Sequence, residues 1–155
     1  MINGHPDDID IKILNLLQED GRMDVARIAR KVHKSPPPVH DRIHRLQQLG
    51  FIKGYTAIID RGLAGKPVFV VAMVKLEKQT KALLAQFVAS VKEMEEIQFC
   101  LQVSGKWDFM IHVAVATPDD YYKFLMERLC SNKNVSYVES SFVLQEHKAF
   151  APLRL

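Results

Sequence analysis

Between Val39 and Leu49 the polar residues His40, Asp41, Arg42, His44, Arg45 and Gln48 interleave with Val39, Ile43 and Leu46, which recur at spacings of three and four. On a helix that spacing gathers the apolar residues on one side and sets His40, Asp41, His44, Arg45 and Gln48 on the other. Arg45 or His44 could reach guanine edges and Asp41 could accept from a cytosine amino group, which is the chemistry of major-groove reading. Arg22, Lys34, Ser35 and Arg42 are of the kinds that hold phosphates, and so position a protein without reading sequence. The plainer reading is a solvated helix face with Asp41 and Arg45 as an i,i+4 ion pair. His40-Asp41-Arg42-Ile43-His44 is also close to the zinc-protease pattern HExxH. Asp is shorter than the Glu that would activate the water, and no third ligand is near, so the spacing argues against a metal and no catalytic residue is assigned.

A second constellation is the run Ser104, Gly105, Lys106, Trp107 and Asp108. Glycine lets backbone approach a ligand closely, the Asp108 carboxylate could accept from an α-ammonium group, and Lys106 could pair with a carboxylate. Ser140 and Ser141 are candidate hydroxyl partners on a later segment. Against this, Gly105 could serve only a hairpin conformation, with Trp107 packing in a subunit contact.

The elements that must hold these groups are legible from period and caps. Ile9, Ile13, Leu16 and Leu17 form a helical stripe, with Asp7 as N-cap and Asp10 three residues on. Asp24 caps a second helix with Val25, Ile28, Ala29 and Val32 on one face. A third helix starts near Ser35 or Pro36, its prolines lying in the first turn where no amide hydrogen is needed, and Gly50 supplies a left-handed end. The pattern then becomes strand-like through Phe51, Ile52, Tyr55, Ala57, Ile58 and Ile59. Residues 61–67, with Gly62, Gly65 and Pro67, read as a hinge.

Beyond the hinge the order is strand (Val68 to Glu77), helix (Thr80 to Lys92), strand (Glu96 to Ser104), strand (Phe109 to Ala116), helix and strand (Val135 to Glu146). The second helix starts at Thr117-Pro118 and puts Tyr122, Leu125, Met126 and Leu129 on one stripe. This order predicts a ferredoxin-like βαββαβ domain, with both helices on one face of an antiparallel sheet. Both alternating sets of Val68 to Val74 are apolar, so the uncovered face needs a partner, and a second copy of the domain predicts a homodimer.

The chain of 155 residues is 48% hydrophobic, enough for a core, and its formal net charge is +3. The distribution is more telling. Asp7, Asp8, Asp10, Glu19 and Asp20 face only Lys12, whereas Arg22, Arg27, Arg30, Lys31, Lys34, Arg42, Arg45 and Lys53 are opposed only by Asp24 and Asp41. Such a basic stretch suits double-stranded DNA. Cys100 and Cys130 lack disulfide-framework or zinc spacing, no apolar run is long enough to span a bilayer, and no secretory layout is seen at the start, so a cytoplasmic protein without membrane contact is expected.

Four stretches carry a resemblance: Asp7-x-Ile9-Asp10-x-x-Ile13-Leu14; Leu17-Gln18-x-Asp20-Gly21-Arg22; Ile28-Ala29-x-x-Val32-x-x-Ser35; and Val39-x-x-Arg42-Ile43-x-x-Leu46 leading to Gly50, Ile52, Gly54 and Tyr55. Together with Glu95-Glu96-Ile97-Gln98, Val103-Ser104-Gly105-x-x-Asp108-Phe109 and Lys148, this pattern resembles the Lrp/AsnC regulators over almost the whole chain. The resemblance implies an α+β protein with a winged-type helix-turn-helix domain (1–60), a hinge (61–67) and a C-terminal RAM/ACT-like domain (68–155) for effector binding and oligomerisation. It implies a non-enzymatic transcription regulator without a cofactor, whose dimers assemble further, to an octamer, with an amino acid or related metabolite bound near the Gly-x-x-Asp turn. His33, Lys34, Pro37 and Gln47 depart from the family pattern. Two other classes stay open: a haem-precursor decarboxylase, as some relatives of the family are, and a metabolite-binding module with a vestigial DNA head. The basic outward face of the third helix weighs against the enzyme, and failure to bind any genomic fragment at low salt would favour the module.

Overall fold

The computed structural model describes residues 5–148 and 151–155. By internal contacts the chain divides into two units, Met1–Ile58 with Lys148–Leu155, and Ile59–His147. Residues 1–4 of the expected first domain lie outside the described residues.

The first unit holds three helices, α1 (Asp8–Glu19), α2 (Val25–Lys31) and α3 (Pro36–Gln48). Asp7 caps α1 by accepting from the amides of Ile9 and Asp10, while the Asp10 carboxylate reaches back to the Asp7 amide in a closed capping box. Asp24 caps α2 through the Arg27 amide. Between α2 and α3, His33 takes φ +54°, a left-handed turn that His tolerates better than bulkier side chains do. Ile13, Leu14, Ile28, Ala29, Val32, Val39 and Leu46 form the buried centre.

One expectation for this unit is corrected. Residues 51–59 make no strand, and no wing hairpin is present among the described residues of the unit, because a strand needs a ladder partner and none lies alongside. By internal contacts residues 151–155, at the far end of the sequence, lie with the helices. Gln18 donates to the Leu153 carbonyl at 3.0 Å and accepts from the Leu153 amide at 2.7 Å, pairing one side-chain amide with backbone as a neighbouring strand would.

The second unit contains β1 (Val68–Leu76), α4 (Lys81–Lys92), β2 (Ile97–Gln102), β3 (Phe109–Val115), α5 (Pro118–Lys123) running into a π-helical segment (Phe124–Leu129), and β4 (Val135–Phe142). The sheet order is β2-β3-β1-β4 with every pair antiparallel, the ferredoxin-like arrangement expected. Val70, Ala72, Val74 and Leu76 of β1 share a face with Phe109, Ile111, Val113 and Val115 of β3, and Phe87, Val91, Tyr121, Phe124 and Leu129 close over it.

The helical stripe after Thr117 is also corrected. Tyr121, Phe124 and Leu129 are buried, whereas Tyr122 and Met126 are exposed. Phe124 and Leu129 are five residues apart, a spacing that a π turn returns to one face and a 3.6-residue period does not. The opposite face of the sheet carries Phe69, Val71, Met73, Met110, His112, Phe99 and Leu101.

Candidate nucleic-acid interface and effector turn

Helix α3 is anchored by Val39 and Leu46, both fully buried, so its opposite side must face outward. His40, Asp41, His44, Gln47 and Gln48 are exposed there, and Arg22, Lys34 and Ser35 are exposed on the segments before it. His40 Nδ1 lies 3.6 Å from Asp41 Oδ1. Among the described residues no three His, Cys, Asp or Glu side chains are placed to hold a metal.

Arg42 and Arg45 depart from the sequence reading. Arg42 donates to Asp10 Oδ1 at 2.8 Å and to Asp7 Oδ2 at 2.7 Å, and Arg45 donates to the other Asp10 oxygen. Asp10 is wholly buried, and a buried carboxylate must be paired. The two arginines sit at the margins of the apolar stripe, with stems long enough to reach back to α1. Arg45, expected outward at a base edge, therefore turns inward, and Arg42, expected on a phosphate, ties α1 to α3. The amide of Asp10 and the guanidinium of Arg42 hold the Asp7 carboxyl below its usual range, and the two carboxylates push Arg42 higher still. Sequence reasoning missed Asp10, although a signal was there: a charged residue three before Ile13 and four before Leu14 falls on the buried side of α1.

In the second unit, Gly105 adopts φ +108°, a conformation side chains rarely take. Asp108 is already engaged. Its Oδ2 accepts from the Leu76 amide at 2.7 Å, where β1 slips register against β4, and lies 3.5 Å from Lys75 Nζ. Trp107 stacks on Tyr137 with ring centroids 5.6 Å apart, and Lys106 Nζ stands 4.7 Å above the Trp107 ring. Tyr137 was not foreseen; its alternation with Glu139 and Ser141 on β4 is the signal that places it on the open face.

Ser104 to Asp108 thus form one turn, and neither Ser140 nor Ser141 joins it: Ser141 pairs Val71, four residues along β1 from the Lys75–Tyr137 pair beside the turn. Successive strand residues point to opposite faces, and the Ser140 hydroxyl meets Tyr121 OH at 2.5 Å under the helices. Ser140 is corrected to a core partner; Ser141 stays on the exposed side. A cavity of this unit lies elsewhere, between α4 and the π-helical segment, where Lys78, Gln86, Glu127 and Arg128 line it.

A three-helix unit with an exposed polar third helix, joined in one chain to a ferredoxin-like sheet unit, defines a helix-turn-helix transcription regulator with a ligand-binding domain. Residues 7–47 match the AsnC-type helix-turn-helix domain and residues 69–153 the Lrp/AsnC ligand binding domain. The chain is 35% identical over 142 residues to the leucine-responsive regulatory protein of Salmonella typhimurium, covering 92% of this chain and 87% of that one, and 34% identical to its Escherichia coli K12 counterpart over the same span. Among solved structures it is similar to a transcriptional regulator from Neisseria meningitidis in complex with L-Met (TM-score 0.89, 28% identity, 96% of each chain). It is likewise similar to an AsnC family transcriptional regulator from Agrobacterium tumefaciens (TM-score 0.87, 28% identity, 96% of each chain). The chain belongs to the Lrp/AsnC family of transcription regulators.

Proposed function

We propose that the chain binds double-stranded DNA in the cytoplasm with α3 in the major groove, and that an amino acid bound at the Ser104–Asp108 turn alters that binding. The observation that carries the reading is the exposed set His40, Asp41, His44 and Gln48 on a helix whose back is fully buried. With Arg42 and Arg45 neutralised by Asp7 and Asp10, base reading falls to His40, Asp41 and His44, and phosphate holding to Arg22, Lys34 and Ser35.

The methionine held by the Neisseria regulator, and leucine in the Salmonella relative's name, support an amino acid as effector. Lys106, Trp107 and Tyr137 offer it a cation and two aromatic faces. The apolar open face of the sheet supports homodimers and, from them, a larger assembly of octamer size. A regulator acting through DNA spacing needs no catalytic group, and none is assigned.

Binding isotherms on duplexes enriched from a random pool test this reading. His44→Ala is expected to relax preference at one base position. Arg22→Ala is expected to weaken binding evenly across sequences and to shallow the salt slope by about one. Equal, sequence-independent losses from both would contradict the assigned roles. For the effector, Lys106→Ala is expected to abolish the response of DNA binding to an amino-acid panel, and an unchanged response would remove the turn from the site.

A further inference from the structure

Helix α3 opens with Pro36, Pro37 and Pro38 at its first three positions, and all three are exposed. Ser35 stands at the cap with extended backbone, yet its hydroxyl caps nothing. The cause is chemical: a capping oxygen accepts from the amide of the second or third helical residue, and here both are prolines without an N–H. Asp7, Asp24, Thr80 and Thr117 each find such a donor at their own helices. The first amide hydrogen that α3 owns belongs to Val39, its fourth residue.

A helix start ordinarily presents free amide hydrogens that suit phosphate. The first three positions of this one present none, only the Ser35 cap amide lying before them, and the first-turn carbonyls point along the axis toward amides further on. What the three proline rings can recognise follows by elimination. Phosphate needs a donor or a positive charge, and the hydrogen-bonding edges of bases need a group that a proline ring lacks. The one apolar feature of the major groove is the thymine 5-methyl group.

We infer that Pro36, Pro37 and Pro38 make the leading end of α3 a contact surface for thymine methyl groups, with the unengaged Ser35 hydroxyl left to meet a neighbouring phosphate. This rests on the reading of α3 as the major-groove helix, whose N-terminal residues are the ones that approach base edges. The arrangement has a local cost, since Pro37 and Pro38 each disfavour helical backbone in the residue before. The helix nevertheless begins at Pro36.

The test uses the full chain and the duplex it enriches from a random pool. Each thymine is replaced in turn by uracil, which removes only the methyl group, and affinity is read by fluorescence anisotropy. The wild-type chain is expected to lose about four-fold for each methyl that had been buried against a ring. Pro36→Ser, Pro37→Ser and Pro38→Ser, checked for folding by circular dichroism, are expected to include a variant that binds the thymine and uracil duplexes equally. An enriched site at which uracil never matters to the wild-type chain would overturn the methyl contact and leave the role of α3 standing. A uracil penalty that survives in all three folded variants would overturn the assignment to the prolines. Failure to enrich any site would overturn the base-reading role of α3 and this inference with it.

Discussion

Two guanidinium groups converge on the single carboxylate of Asp10, which has no exposed surface. Both oxygens are used, and the same side chain also closes the cap of α1. Removing one partner of a buried ion pair costs more than the pair contributes, because the remaining charge is stranded. Asp10→Asn is expected to lower stability by about 3 kcal/mol in urea unfolding, the low end for a broken buried pair because both arginines keep some solvent. A loss under about 1 kcal/mol, the scale of an exposed pair, would show that the cluster does not fasten α1 to α3. Arg45→Ala belongs with this cluster too, and is expected to reduce stability before it alters base preference. The sign for Asp7 is set by its depressed folded value: its contribution is present above its ordinary 3.8 and fades as pH falls through the lowered one. Periodicity made the apolar back of α3 legible, since Val39, Ile43 and Leu46 recur as a helix demands. It did not reveal where long side chains at the stripe's edge bend, because that depends on a carboxylate 32 and 35 residues away. Asp108 shows the same limit, for its link to the Leu76 amide is a tertiary fact.

Caps and breakers read well at the scale of elements. Asp7, Asp24 and Thr117 cap the helices expected of them, Thr80 caps α4 in the same way, and Gly50 turns left-handed at φ +79°. The π turn and the unpaired 51–59 segment were not legible, since one compresses a period and the other lacks a ladder that only neighbours can supply. Glycines also mislead about freedom. Residues 60–66, at the expected hinge, form a tight turn: the Ala64 amide meets the Asp60 carbonyl, Gly65 meets Gly62, Lys66 meets Arg61, and the Asp60 carboxylate accepts from Leu63. Arg61 is further held by Glu146 and stacks 3.9 Å over Phe69. By contrast, among the described residues no backbone amide of 53–59 finds an acceptor, and Ile58 and Ile59 are largely exposed. Segments with few hydrogen bonds open first. Limited proteolysis is therefore expected to cut within 53–59, as mass spectrometry of the fragments would show. First cleavage within 61–66 would restore the glycine-rich turn as the mobile element.

For the molecule as a whole, the proposed assembly hinges on the open sheet face, and His112 lies on it between Phe69 and Phe99, with ring centroids at 5.4 and 5.1 Å. Burial already holds its imidazole below the usual 6.5; Glu146 draws it up and Arg61 pushes it down. The folded state therefore resists a proton that the unfolded chain accepts, so stability is full above about pH 6.5 and falls as acid carries pH from there toward the depressed value. A second copy laid over this face would bury His112 further and depress it again, so protonation must oppose assembly as well as folding. Sedimentation at pH 7.5 and at pH 5.5 is expected to show the oligomer shrinking in acid, and His112→Phe, which keeps an apolar ring, is expected to remove most of that dependence. An oligomer whose size is the same at both pH values would mean that this face is not the one copies share. Val71→Glu, which places a charge at the centre of the same surface opposite His112, gives the independent check: it is expected to yield folded protomers at neutral pH, and a variant that still assembles normally would move the interface elsewhere.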